Sequence, residues 1–196
     1  MKKKTFILAS QSPRRQQLLE QIGAKFEVIC GSADEADVPK ELSPDLYVRE
    51  LAVLKANSVA GLTDKPALII GADTVVVSNG KILGKPSDEQ HAVQMLRELS
   101  GETHSVYTGV AVADTTDMKI ASVYERTFVT FRELSDAEII EYVRKYRPFD
   151  KAGAYGIQEY AGVFVSRIDG DYCNVVGLPL CRLYTLIKDE FGEVLA

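Results

Sequence analysis

The chain reads as one α/β domain, a mixed twisted sheet with helices on its faces, and three features of the sequence predict it. Residues 68–77, Leu-Ile-Ile-Gly-Ala-Asp-Thr-Val-Val-Val, form a nearly continuous apolar run, the pattern of a strand covered on both faces. Asn79-Gly80 and Asp169-Gly170 lie between β-prone segments, and such dipeptides make the tight turns of antiparallel hairpins. Elsewhere apolar residues recur every three or four positions between strand-like runs, so helices connect strands that pair in parallel. At 196 residues the chain can form one large domain or two lobes sharing a core, with only a weak boundary near residue 100.

Taken in order, Thr5 to Ala9 is a short β-prone run that leads into Ser10-Gln11-Ser12-Pro13-Arg14-Arg15. Leu18, Leu19 and Ile22 then recur at helical spacing before Gly23. Ser12 suits the N-cap, Pro13 the first turn, and Gly23 the left-handed position after the helix, so both arginines sit at a helix start. Ser43-Pro44 announces a second helix, closed by Gly61, with Tyr47, Leu51 and Leu54 as its inward stripe and Lys55 beside it. The long apolar strand follows, then the Asn79-Gly80 turn, Lys81 to Leu83, and Gly84-Lys85-Pro86.

Ser87 with Gln90 resembles a capping box for a helix carrying Ala92, Met95, Leu96 and Leu99 and ending by Gly101. Two strands come next, Val106 to Ala113 and Val123 to Phe131; the second sets Val123, Val129 and Phe131 on one face and Arg126, Thr130 and Arg132 on the other. Ser135 and Glu138 form another capping box, before a helix with Ile139, Tyr142 and Val143 inward. Val163 to Ile168 and Tyr172 to Val176 read as a hairpin around Asp169-Gly170, and a final helix holds Leu183, Leu186 and Ile187.

With 46% hydrophobic and 26% charged residues, the composition is that of a folded globular protein and excludes disordered or fibrous classes. A net charge of −5 disfavours broad nucleic-acid binding, so any basic site must be local. Cys30, Cys173 and Cys181 are odd in number and lack metal-ligand spacing, which suits free thiols in a reducing compartment. The basic start, Met1 to Lys4, reads as a solvated terminus, and the apolar run after it is too short for a signal core or a membrane span. A cytoplasmic protein is the expectation.

Three segments place charged or glycine-rich sequence at strand ends, where α/β proteins build ligand sites. The first is Ser10 to Arg15. A helix start exposes unpaired N–H groups, and two guanidiniums beside it suit a phosphate, although capping and solvation alone are the alternative. The second is Gly71-Ala72-Asp73-Thr74 with Gly84-Lys85-Pro86 a turn away. A carboxylate embedded in that apolar run keeps its charge only beside a metal or a cation, and Lys85 is a candidate; a structural Asp-Lys pair is the other reading. The third is Asp150-Lys151-Ala152-Gly153-Ala154-Tyr155-Gly156-Ile157-Gln158, whose small residues permit close backbone approach and whose Gln158 offers both donor and acceptor to a base edge.

The sequence lacks a Walker loop, a dinucleotide fingerprint and a zinc helix. Its only histidines, His91 and His104, read as surface residues far from any nucleophile, which argues against a serine or cysteine triad.

Together and in this order the motifs resemble the Maf family of nucleotide pyrophosphatases over nearly the whole chain. They are Leu-Ala-Ser-Gln-Ser-Pro-Arg-Arg (8–15), Gly-Ala-Asp-Thr (71–74), Gly-Lys-Pro (84–86), Leu-Ser-Gly-Glu-Thr-His (99–104) and Asp-Lys-Ala-Gly-Ala-Tyr-Gly-Ile-Gln (150–158). The resemblance implies two lobes around a deep cleft, of the kind seen in inosine triphosphatases, a requirement for Mg²⁺ or Mn²⁺, and a homodimer. Carried over residue by residue, Asp73 matches the proton acceptor, and Ser10, Arg14, Glu35, Lys55 and Lys85 match polar cleft residues. Arg14, Thr74 and Gln158 match the positions that separate the dTTP- and UTP-hydrolysing branch from the one acting on methylated GTP. Glu159 stands where the family commonly has glycine.

The expected chemistry follows. A nucleoside triphosphate would meet Arg14, Arg15, Lys55 and Lys85, with a divalent metal on Asp73 and Glu35; water attacks the α-phosphorus and pyrophosphate leaves. Whether Asp73 acts as base or as metal ligand stays open. The resemblance also implies modified pyrimidine nucleotides as house-cleaning substrates and a role in arrest of septum formation; the alternative is a regulator of cell division that binds nucleotide without turning it over.

Overall fold

A computed structural model describes residues 4–39 and 41–196. The first three residues of the basic N-terminal stretch lie outside the described residues. Lys4 is not a solvated charge as expected: its ammonium donates to the buried carboxylate of Asp114.

The observed elements confirm the mixed α/β class. In chain order they are β1 (Thr5–Leu8), α1 (Pro13–Gln21), β2 (Phe26–Val28), α2 (Pro44–Ala60), β3 (Ala67–Ser78) and β4 (Lys81–Leu83). There follow α3 (Glu89–Leu99), β5 (Thr103–Asp114), β6 (Ile120–Phe131), α4 (Asp136–Tyr146), β7 (Val165–Asp169), α5 (Tyr172–Val176) and α6 (Leu180–Phe191). One sheet runs in the order β2-β1-β3-β5-β6-β7, with β4 paired to β3. β1 is parallel to both β2 and β3, as strand-helix-strand connections require, while β3–β4 and β6–β7 are antiparallel. The β3–β4 turn is the anticipated Asn-Gly, with φ of 47° at Asn79 and 74° at Gly80.

The chain groups into two compact units that interleave in sequence. One takes the described residues up to Asp73 with 108–125 and 177–196, and the other takes 74–107 and 126–176. In the first, α2 packs on β1, β3 and β5 through Ala52, Ala56 and Val59 against Ile7, Ile69 and Ala111. The inward stripe of α2 is Val48, Leu51, Ala52, Ala56 and Val59, rather than the Tyr47-Leu51-Leu54 line read from sequence. Tyr47, Leu54 and Lys55 fall on its half-buried border. Small residues at the contact let helix and sheet approach closely: a Cβ on Gly71 would lie 2.1 Å from Ala52 O.

In the second unit, α3 and α4 cover an aromatic core of Phe131, Tyr142, Tyr155 and Phe164 with Val76, Leu96, Leu99 and Val129. α4 begins with the expected capping box, Ser135 accepting from Glu138 N–H and Glu138 accepting from Ser135 N–H. α3 corrects its own reading. It starts at Glu89, so the cap is Asp88, whose carboxylate accepts from His91 N–H at 2.8 Å, and not Ser87 with Gln90.

Residues 172–176 also depart from expectation, forming helix α5 instead of the second arm of a hairpin. Side chains decide this. Asp171 accepts from Cys173 N–H at 2.7 Å, and buried Asn174 donates to Val106 O at 3.0 Å and to Thr127 Oγ1 at 2.9 Å. Those bonds hold the segment in a turn of helix against β5 and β6. His104 is likewise buried, 2% exposed, and not at the surface: its Nε2 meets Tyr155 Oη at 2.8 Å beside the ring of Phe131. No helix among the described residues is long and apolar enough to cross a membrane.

Candidate functional site

The first unit gathers five of the charged residues singled out above, Arg14, Arg15, Glu35, Lys55 and Asp73. Gly71 lets β3 run against α2, and two residues on, Asp73 meets Lys55, four residues after Leu51 on that helix. Lys55 Nζ donates to Asp73 Oδ1 and pairs with Glu35 Oε1 at 2.8 Å. The cation recorded on Asp73 is thus Lys55, whereas the sequence suggested Lys85. Glu35 opens a short 3₁₀ turn, Glu35–Asp37, capped by Asp34 accepting from Ala36 N–H. Its carboxylate is more exposed than the others, at 53% against 13% for Asp73 and 19% for Lys55. One ammonium therefore holds two carboxylates, one sheltered on a strand and one on an accessible loop.

The arginines stand at the start of α1, as predicted. Ser12 is the N-cap residue, but its side chain does not cap; the hydroxyl of Ser10 accepts from Ser12 N–H at 3.2 Å instead. Arg15 Nη1 donates to the same Ser10 oxygen at 3.1 Å and its Nε to Gly177 O at 2.8 Å. Burial pulls the Arg15 guanidinium below the usual range, the carboxylates of Asp73 and Glu35 pull it back, and Arg14 opposes it. Guanidiniums at a helix N-terminus face an unfavourable dipole, and the first turn of α1 has no acid of its own. The offset comes from Asp73 and Glu35.

Sequence reasoning missed two participants. Gly177, 162 residues from Arg15, carries the carbonyl that aims the guanidinium. Tyr47 feels the same charges: its phenol is raised first by burial and then by Asp73 and Glu35. Its place one turn before Leu51 and two before Lys55 was the available signal.

Thr74, Lys85 and Gln158 belong to the second unit, where Thr74 is half-buried and Lys85 and Gln158 are exposed. Two sequence motifs meet there, because Gly153 N–H donates to Gly84 O at 3.1 Å and ties the Gly-Lys-Pro turn to the 150–158 loop.

The donor set fits a divalent metal. Carboxylate oxygens are hard ligands, and Mg²⁺ commonly takes one or two of them while substrate phosphates and water complete its shell. Among the described residues no three His, Cys, Asp or Glu side chains group as a ready metal cage. Asp73 and Glu35, both on Lys55, are two carboxylates close enough together to hold a divalent ion.

Residues 5–190 match the family model described as Maf-like protein. Curated relatives include the dTTP/UTP pyrophosphatase of Clostridium novyi (strain NT), 51% identical over 93% of this chain and 96% of that one. The enzymes of the same name from Pelotomaculum thermopropionicum and Salinibacter ruber are 48% and 49% identical, each over 96% of this chain and 97% and 92% of theirs. Similar solved structures include a HAM1 protein from Coxiella burnetii, 16% identical with a TM-score of 0.43 over 66% of this chain and 73% of that one.

Proposed function

The chain belongs to the Maf family, and from that premise we propose that it hydrolyses dTTP and UTP to the nucleoside monophosphate and pyrophosphate. The observation that carries the reading is the single ammonium of Lys55 shared by Asp73 and Glu35, with Arg15 in the same field. A polyphosphate is the ligand such a group suits. The relatives named above, near 50% identical over almost their full length, support the same activity.

Asp73 and Glu35 would hold a divalent cation, Mg²⁺ or Mn²⁺, which when bound polarises phosphoryl oxygens and makes water more acidic. Asp73 orients the attacking water and accepts its proton. The water oxygen bonds to the α-phosphorus as the α–β phosphoanhydride bond breaks, and pyrophosphate carries away the electron pair. Lys55, held at rest by two carboxylates, is placed to turn one of its donors to a phosphate oxygen. Arg15, fixed by Ser10 and Gly177, and Arg14 offer guanidiniums to the same tail, and Lys85 adds a further cation. Arg14, Thr74 and Gln158 are the proposed determinants of pyrimidine choice. We place the protein in the cytoplasm, where three unpaired cysteines suit a reducing compartment, and as a homodimer, as the family resemblance implies, with equilibrium sedimentation as the check on assembly.

Incubation with dTTP and Mg²⁺ should release pyrophosphate and dTMP in equal amounts, with UTP close behind and purine triphosphates well below. Chelation should stop the reaction and added Mg²⁺ or Mn²⁺ restore it. Nucleotide retained without pyrophosphate release would leave a binding protein and contradict the proposal.

A further inference from the structure

Lysine is seldom buried, because an ammonium taken from water costs several kcal/mol unless anions meet it. Lys151 is nevertheless only 7% exposed. Its Nζ donates to Asp150 Oδ1 at 2.8 Å and pairs with Glu159 Oε1 at 3.3 Å, and both carboxylates are far more exposed than the ammonium between them. The stem is confined as well. A Cβ on Gly156 would lie 2.8 Å from Lys151 Cε and 3.0 Å from Cδ. Gly156 does not have a left-handed backbone, so room for that stem is what glycine provides here.

Glu159 N–H donates to Gly156 O at 3.1 Å and closes a turn over residues 156–159. Ile157 packs on the aromatic core, and the next residue, Gln158, is exposed. Lys151 therefore touches the first residue of this turn with its stem and the last with its charge.

We infer that Lys151 is a positioning residue: by gripping both ends of the 156–159 turn it fixes Gln158 for reading the pyrimidine, and so sets selectivity among nucleotides rather than the rate of bond cleavage. The inference rests on the role proposed for Gln158. A glutamine amide carries donor and acceptor together, so a turn that wanders lets it meet a carbonyl or an amino group at the base edge alike. A held turn admits one arrangement, since recognition groups must keep their place to within about 0.5 Å.

Lys151→Met keeps the unbranched stem and removes the charge. With dTTP, kcat should stay within about twofold while KM rises about tenfold, and the preference for dTTP over CTP in kcat/KM should fall about tenfold. Amide exchange at residues 157–159 should quicken. Glu159→Gln, which leaves the buried stem in place, should shift the same quantities the same way by less, and it decides the matter if Lys151→Met does not fold. An unchanged preference overturns the inference, as does an equal loss of kcat with every nucleotide, which would put Lys151 on the phosphates. Gln158→Ala separates the failures. Unaltered selectivity in that variant removes the glutamine's role and this inference with it, while pyrophosphate release by the wild-type protein would still uphold the hydrolase.

Discussion

Around Asp73 two carboxylates share one ammonium and a guanidinium lies in their field, whereas under α3 and α4 a histidine and two tyrosines are packed among aromatic rings. The two regions treat ionisable groups in opposite ways. In the first, an ammonium sits between two carboxylates that are not fully buried, an arrangement of opposite charges that suits a charged ligand. In the second, burial is the largest influence: it pushes the His104 imidazole down to about 4 and raises the phenols of Tyr142, where Glu159 adds to it, and of Tyr155. Groups held neutral in this way strengthen a core but offer little to a polyphosphate. Stability and chemistry are thereby divided between different side chains, and each can be perturbed on its own.

The largest effect on folding should come from the aromatic core. Phe131 is 1% exposed and touches the rings of His104, Tyr155 and Phe164, so Phe131→Ala should cost about 3–5 kcal/mol. Urea denaturation measures it, and dTTP turnover per folded molecule should be kept. A loss of turnover beyond the unfolded fraction would show that the two regions are not separable.

Acid should act next, and through the same core. His104 binds a proton near pH 6.5 when unfolded but only near 4 when folded. As pH falls below about 6.5 the unfolded state takes up the proton first, so stability drops down to about pH 4, by about 3 kcal/mol in all. Unfolding free energies at pH 7 and pH 5 measure the slope, and His104→Phe should flatten it. An unaltered slope in that variant would move the acid sensitivity elsewhere.

A smaller effect, but one that reaches the charged cluster, is expected from Gly71→Ala. The added methyl would sit 2.1 Å from Ala52 O and 2.8 Å from Ala56 N, so α2 must shift away from β3. Overpacking of this kind costs about 1–3 kcal/mol. Because Lys55 rides on α2 and Asp73 on β3, turnover should fall by more than the stability loss explains; a variant that is destabilised but fully active would uncouple helix docking from the site.

Much of the fold was legible because local signals agreed with tertiary ones. Asn79-Gly80 turned as its conformational freedom dictates, Ser135 and Glu138 capped reciprocally, and the apolar run at 68–77 became a strand buried on both faces apart from its polar interruption. Asp73 stood out for the same reason, as the one charge in that run. What failed depended on distant partners. Residues 172–176 had strand composition, but Asp171, Asn174 and Thr127 supplied bonds that a helix turn could use. His104 stood in a polar stretch, and its burial is set by Phe131 and Tyr155, 27 and 51 residues away. For Asp73 the sequence offered a metal or a nearby cation, with Lys85 as one candidate, whereas close docking at Gly71 brought Lys55 to it, and nothing local marked Gly177 as the anchor of Arg15.

The claim on which the rest depends is that the charge of Asp73 acts on water at a bound polyphosphate. Asp73→Asn removes that charge and keeps the shape, so pyrophosphate release from dTTP with Mg²⁺ present should fall at least about 10²-fold while the melting temperature stays close to wild type. Near-normal release by a folded Asp73→Asn variant would contradict the account.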